Sequence, residues 1–316
     1  MEPCNFCQFA TQWTFSLLVL LGVIVLSCNS PSEDFSTWRV YKGGNDANNY
    51  SSLNQINKSN VSQLQLAWSF YPNDEPEGFR IWKYECNPII IDEVMYLTSA
   101  WRKLYAINAI TGDSLWSFDP LKGERGGGVL RGVTYWKDHQ TDEARVFFSA
   151  RSKLFAVDAK TGKAIPRFGE EGSISLGLPQ PEREEPGTLR LSTPGIIYQD
   201  LIIVGAVVSE SPGAAPGPVR AFDVRTGQLT WTFNTIPQPG EFGYDSWPEN
   251  AYKTVGGANN WAGMSLDEER GIVFVPTGSP TYDYYAADRI GSNLFGNSLI
   301  ALEAATGTYL WHFQTV

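Results

Sequence analysis

The sequence predicts an all-β chain arranged as a partial β-propeller of about four to five blades. Three observations predict it. A fifteen-residue phrase recurs four times, alternating apolar runs lie between the copies, and the chain is rich in turn formers and large aromatics, with 30 Gly, 19 Pro and 11 Trp. Repeats of roughly 40–50 residues with four short strands each mark propeller blades.

The elements follow in chain order. Phe15 to Ser27 (FSLLVLLGVIVLS) is almost wholly apolar. It is shorter than the roughly 20 residues a bilayer-spanning helix needs, so residues 1–27 read as a signal peptide or a membrane anchor. Val25-Leu26-Ser27-Cys28 resembles a lipoprotein cleavage box, although residues 1–14 carry no Lys or Arg. Cys4-x-x-Cys7 precedes this segment and would be discarded with it, which leaves Cys86 as the mature thiol besides Cys28. No disulfide framework follows. Residues 28–37 form a linker, and 38–316 the incomplete propeller domain.

The repeated phrase reads LYAINAITGDSLWSF at 104–118 and LFAVDAKTGKAIPRF at 154–168, then VRAFDVRTGQLTWTF at 219–233 and LIALEAATGTYLWHF at 299–313. Each copy is an alternating strand, a Thr-Gly turn and a second strand with a large aromatic. Glycine supplies the positive φ that the turn requires. LAWSF at 66–70 matches only the tail. Trp68, Trp116, Trp231 and Trp311 are expected to wedge between neighbouring blades. Copy two has Pro166 at that position, so its seam is expected to be weaker. The inserts 169–191, 234–260 and 280–297 are long, and long inserts at strand ends are where a site is built. Within the last insert, Asp283, Asp288 and Arg289 read as loop structure first and rim residues second. The final copy runs into Gln314-Thr315-Val316 with no strand left to complete blade one, so the ring is expected to continue in further blades.

Charge and composition exclude several functions. The net charge is −10 and the pI about 4.8, which repels phosphate and argues against nucleic acid as a partner. Two histidines, His139 and His312, leave little for a His-rich zinc centre or a His-based triad.

Several phrases in this order resemble the pyrroloquinoline quinone (PQQ)-dependent dehydrogenases, in particular their glucose-dehydrogenase-like subgroup. They are Trp38-Arg39-Val40-Tyr41 through Asn57, Arg131-Gly132-Val133-Thr134-Tyr135-Trp136, Gly257-Ala258-Asn259-Asn260-Trp261 and Trp311-His312-Phe313-Gln314. The resemblance spans nearly the whole mature chain. It implies an eight-bladed ring of which this chain is the N-terminal half, oxidation of an alcohol or sugar hydroxyl by hydride transfer to PQQ, and calcium as Lewis acid. It further implies a respiratory electron acceptor (a quinone or cytochrome c), a periplasmic location and contact with the membrane through the N-terminal segment.

By the same resemblance, Trp261 is the stacking floor of the cofactor; the alternative is one more packing tryptophan, but it lies outside the tail phrase. Arg131 and Glu85 match residues at the quinone carboxylates, and Asn259 a small polar contact. Otherwise Arg131 braces a turn and Glu85 makes a loop salt bridge. Glu210, following the strand that ends Val204-Gly205, matches a calcium ligand, with an acidic loop residue as the alternative. Ser279 stands where alcohol-oxidising members place a ligand Asn, and oxygen donors suit calcium. The vicinal cysteines of some members fall at Arg125-Gly126, and the histidine of glucose-oxidising members is Trp101. No residue of the chain is read as the catalytic base, because the family's Asp is expected beyond Val316. A competing reading is a non-catalytic propeller lipoprotein acting as an assembly scaffold, which needs neither the RGVTYW nor the GGANNW phrase.

Overall fold

In the computed structural model of the chain, residues 35–75, 83–124, 126, 128–177 and 188–316 are described. The apolar N-terminal segment, with Cys4, Cys7 and Cys28, lies outside them, as does Arg125. These residues form four antiparallel four-stranded sheets, each a meander of strands consecutive in sequence. Blade one comprises β1 (Ile89–Ile91), β2 (Val94–Thr98), β3 (Leu104–Asn108) and β4 (Ser114–Phe118). Blade two has β5 (Thr134–Lys137), β6 (Ala144–Ala150), β7 (Lys153–Asp158) and β8 (Ser173–Ser175). Blade three has β9 (Ile196–Tyr198), β10 (Leu201–Val204), β11 (Val219–Asp223) and β12 (Leu229–Phe233). Blade four has β13 (Ser265–Asp267), β14 (Ile272–Pro276), β15 (Ser298–Glu303) and β16 (Tyr309–Gln314). The tail 66–70 forms no strand, so the described residues make four blades. The first strands β5, β9 and β13 approach one another and surround the axis.

In copies one, three and four the repeated phrase builds the third and fourth strands and the turn between them; in copy two it builds β7 and the turn, and β8 lies after it, within the expected insert 169–191. In copies one to three its fifth residue closes the turn. Asn108 Oδ1 accepts from the Ile110 and Thr111 amides, and Asp158 and Asp223 do the same for their own copies. These are Asx turns, for which Asn and Asp are suited. Copy four has Glu303 there, which accepts instead from the Thr306 hydroxyl. The turn glycines Gly112, Gly162, Gly227 and Gly307 all have φ between 69° and 78°, a region that costs any other residue strain.

The core lies in the seams between blades. One cluster, with Leu104, Val133, Val146 and Phe148, joins blades one and two. A second, with Phe147, Phe168, Ile202 and Phe222, joins two and three. A third, with Ile203, Trp231, Val273 and Ile300, joins three and four. β6 is buried along its whole length, so it reads as an apolar run (ARVFFSA) and not as an alternation. Each large apolar side chain fully buried there contributes about 1.5–3 kcal/mol.

Three of the four tail tryptophans cover a turn glycine as expected; Trp311 covers none among the described residues and is 44% exposed. A Cβ on Gly112, Gly162 or Gly307 would lie 2.5–2.6 Å from the indole of Trp68, Trp116 or Trp231 respectively. Trp116 Nε1 also donates to the Ala159 carbonyl at 3.2 Å, and Trp231 Nε1 to that of Ala304 at 3.1 Å. The seam between blades two and three, expected to be weaker, is filled differently. Ile174 and Phe168 occupy the place of the indole on Gly227, with Ile174 Cγ2 2.6 Å from the would-be Cβ. The donor is Arg145, fully buried, whose Nη1 reaches the carbonyls of Val224 at 2.6 Å and Arg225 at 2.8 Å.

Candidate functional site

Meander topology places the start of every first strand and the end of every second strand at the same end of its blade. The Thr-Gly turns therefore share the opposite end. The long connections 205–218, 234–264 and 277–297 all emerge on the first face; the last two contain the expected inserts 234–260 and 280–297, whereas the expected insert 169–191 holds β8 and residues outside those described.

On that face the segments entering the first strands are stitched to one another around the axis. The Asn87 amide donates to the Arg131 carbonyl at 2.9 Å, and the Arg131 amide to that of Ser192 at 2.8 Å. The hydroxyls of Ser192 and Thr193 in turn donate to the Trp261 carbonyl at 3.1 and 2.5 Å. This collar links all four blades and fixes the backbones that carry Arg131 and Trp261. From below it is braced by Tyr41, which approaches both Gly132 and Gly263. Burial raises the Tyr41 phenol pKa, with Arg131 opposing and Glu85 adding to the shift.

Arg102, which sequence reasoning passed over, holds the collar from inside. It is 5% exposed. Its Nη2 donates to the Val129 carbonyl at 2.8 Å and its Nη1 to that of Ser149 at 3.0 Å, while Ser149 Oγ donates to the Leu191 carbonyl at 3.2 Å. Burial, with repulsion from Arg190, pulls the guanidinium pKa down to about 10, so it stays cationic at neutral pH. No sequence pattern marked it, because its partners lie 27 and 47 residues away.

Five of the six expected site residues, Arg131, Asn259, Trp261, Glu210 and Ser279, line one cavity of about 300 Å³. Glu85 does not line it but pairs with Arg131 at 2.9 Å. The Arg131 guanidinium stands 5.4 Å from the Trp261 ring centre. Trp261 is 50% exposed, against 8% for the seam residue Trp231. It is therefore not a seam tryptophan. Its indole is held at the cavity wall, with Nε1 3.7 Å from the position a Cβ on Gly278 would take.

Asn259 Nδ2 donates to the Ala206 carbonyl at 2.9 Å. Its loop lies so close to the end of β10 that a Cβ on Gly205 would meet the Asn260 carbonyl at 2.4 Å, and one on Gly217 would meet Asn259 Cβ at 2.1 Å. Ser279 Oγ hydrogen-bonds Asn297 Oδ1 at 3.0 Å.

Asp283 lines the same cavity. Burial raises its pKa, the neighbouring Glu210 carboxylate raises it further, and Arg289 opposes. Of its two readings, the rim role is the one its position supports. Arg289 is structural: it is buried and donates to Asn293 Oδ1 at 2.9 Å and to the Tyr282 carbonyl at 3.1 Å.

The site thus combines a half-open indole face, a cation braced by a carboxylate, an anchored amide and a cluster of oxygen donors. Among the described residues no group of three or more His, Cys, Asp or Glu could hold a metal. The available set of carboxylate, hydroxyl and amide oxygens is a hard-cation set. These features suit a flat, anionic ligand beside a hard cation, and they lie on the face of a propeller.

That class has a family. Residues 38–316 match the model described as PQQ: Glucose/ethanol/alcohol dehydrogenase, beta-propeller domain, and the chain belongs to that family. It is 33% identical over 300 residues to the dehydrogenase subunit of the quinone alcohol dehydrogenase of Gluconacetobacter polyoxogenes, covering 88% of this chain and 38% of that one. It is 31% identical over 307 residues to the quinoprotein glucose dehydrogenase of Gluconobacter oxydans, covering 89% and 37%. The crystal structure of the quinohemoprotein alcohol dehydrogenase from Comamonas testosteroni superposes with a TM-score of 0.73 at 27% identity, covering 90% of this chain and 42% of that one. The chain spans about 40% of the length of these relatives.

Proposed function

We propose that this chain forms the cofactor-holding part of a PQQ-dependent dehydrogenase acting on an alcohol or sugar hydroxyl. One observation carries the reading. Residues from four separate stretches, around 131, 210, 259–261 and 279, converge on a single cavity.

The donor set fits the cofactor. The Trp261 indole offers a flat apolar floor. Arg131, oriented by Glu85, faces the ligand's carboxylates, and its fixed fork suits them. Asn259 is held by the Ala206 carbonyl and supplies a polar contact at the edge. Glu210 and Ser279 would hold calcium through oxygen. When bound, the quinone accepts the hydride and the metal acts as Lewis acid. The collar keeps Arg131 and Trp261 at fixed separation, so the ligand meets a preorganised wall. Electrons would leave to a respiratory quinone or cytochrome c. Export and membrane attachment through residues 1–28 complete the reading, to be checked by fractionation and lipid labelling at Cys28.

The test is a titration of the chain with PQQ in calcium-containing buffer, followed by quenching of tryptophan fluorescence and by equilibrium dialysis. Saturable binding is expected. Trp261→Ala should weaken it by about 1–3 kcal/mol, the size of one base–aromatic stacking contact. An unchanged dissociation constant would remove Trp261 as the floor.

A further inference from the structure

Arg102 lies in the connection from β2 to β3, on the same face as the long inserts. Its backbone is left-handed, with φ at 71°, where a residue with a Cβ is strained. The side chain is buried as well. Its two anchored nitrogens meet neutral groups, the carbonyls of Ser149 and Val129, and its Nε is buried with no hydrogen-bond partner among the described residues. The charged neighbour that acts on it is a second cation, the exposed Arg190. The buried Arg145, by contrast, is matched by Glu143. A buried charge without a counter-charge is costly, and proteins keep one where something pairs with it.

The candidate cavity is one hydrogen bond away. Val129, whose carbonyl Arg102 holds, lines it together with Arg131 and Ser192. Ser149, the other anchor, donates to the carbonyl of Leu191, next in the chain to Ser192. The charges at the cavity itself leave no positive surplus. Arg131 is matched by Glu85, and Glu210 and Asp283 add two carboxylates, the latter opposed by Arg289. The surplus comes from Arg102 and Arg190. We infer that Arg102 is the buried counter-charge of an anion held in this cavity: a positioning residue that touches no ligand, fixes the wall carrying Arg131 and supplies positive potential through that wall. That the anion is PQQ rests on the cofactor assignment above. That the ligand is an anion rests on the arginine. An interior charge acts further than one in water, because little solvent screens it. The strained backbone and the unmatched guanidinium are unfavourable in the empty chain and are offset when an anion binds.

The experiment compares the parent chain with Arg102→Lys and Arg102→Gln. Each is titrated with PQQ in calcium buffer and, separately, with benzene-1,3,5-tricarboxylate in calcium-free buffer. Urea unfolding is followed on each ligand-free chain. Lysine keeps the charge and loses the planar fork, whereas glutamine keeps an amide donor and loses the charge. A brace acting through hydrogen bonds alone predicts equal losses. A counter-charge predicts a split: Arg102→Lys should bind both anions within about threefold of the parent, and Arg102→Gln at least about tenfold more weakly. Stability should not follow affinity, because Arg102→Gln buries no charge and should unfold at no lower urea concentration than Arg102→Lys. Arg220 is the control. It too is buried and donates to a carbonyl, that of Leu176 at 2.8 Å, but Leu176 does not line the cavity. Arg220→Gln should leave both affinities within about threefold of the parent. Equal affinities for the two Arg102 variants would overturn the inference, as would an equal loss at Arg220→Gln. PQQ binding without the split would sink the counter-charge and keep the cofactor assignment. Tricarboxylate binding with the split, in a chain that takes up no PQQ, would do the reverse. Binding of neither probe would overturn both.

Discussion

Two seams of the propeller are closed by tryptophan and one is not. Between blades one and two, and between three and four, a single indole does two jobs: its ring covers the turn glycine, and its N–H donates to the carbonyl of the phrase's sixth residue, Ala159 or Ala304. Between blades two and three the jobs are split. Ile174 and Phe168 cover Gly227, while Arg145 reaches the carbonyl of the matching sixth residue, Val224. What a seam requires is therefore an apolar body and a donor at fixed places, not a particular residue. The split solution brings charges with it. Arg225 pairs with the buried Asp138 and lies 4.7 Å from the centre of the Trp136 ring, and Arg145 pairs with Glu143.

Breaking the comparison at its strongest point should have the largest effect. Trp231→Ala removes body and donor together and should cost about 3–5 kcal/mol in urea unfolding, as large core truncations do. Arg145→Leu leaves the apolar body but strands the Val224 and Arg225 carbonyls, and should cost about 2–3 kcal/mol, the range for buried groups left unsatisfied. Trp231→Phe keeps a ring over Gly307 and loses only the N–H, at about 1 kcal/mol. If Arg145→Leu cost less than Trp231→Phe, Arg145 would be a partner for Glu143 alone and the equivalence of the seams would fail.

The smallest effect is the response to acid. The Arg225 hydrogen bond, helped by the Gln140 and Thr141 amides, holds the Asp138 carboxyl at about 2, below its ordinary 3.8. A carboxyl depressed on folding contributes stability that is complete above its unfolded pKa and is lost as pH falls through the folded one. The contribution of Asp138 should therefore fade between about pH 4 and pH 2. Asp138→Asn should flatten that part of the unfolding midpoint against pH. The Trp116 and Trp231 bonds involve no titrating group and should not respond.

The propeller was legible because its signal is local and repeated. The turn-closing residue, the glycine and the tail aromatic lie within one fifteen-residue phrase, so the copies mark the third strand of all four blades and the fourth strand of three; in blade two, β8 lies after the phrase. LAWSF matches only the tail of the phrase and adds only a tail: Trp68 sits on Gly112, but the segment pairs with no strand. Arg145 was illegible because its carbonyl partners are 79 and 80 residues downstream, and a weaker seam was expected for want of a tryptophan. In the site, Trp261 could be separated from the packing tryptophans because its phrase differs from theirs. Trp311 shows the limit of the pattern: it has the tail phrase, yet it is 44% exposed. Asp283 is ranked as loop before rim, and Arg102 goes unmarked, because nothing in a single sequence tells which insert residue turns inward or which arginine is swallowed by the fold.

The turn glycines carry one more consequence. At all four of them the nearest neighbour comes within 2.5–2.6 Å of where a Cβ would stand, whether that neighbour is an indole or an isoleucine methyl. The thickness of one side-chain layer thus acts as a shim that sets the angular pitch from sheet to sheet, and that pitch in turn fixes how wide the opening at the hub can be. A methyl group added at Gly162 or Gly307, on the underside, would be felt as a change in the calibre of the mouth on top.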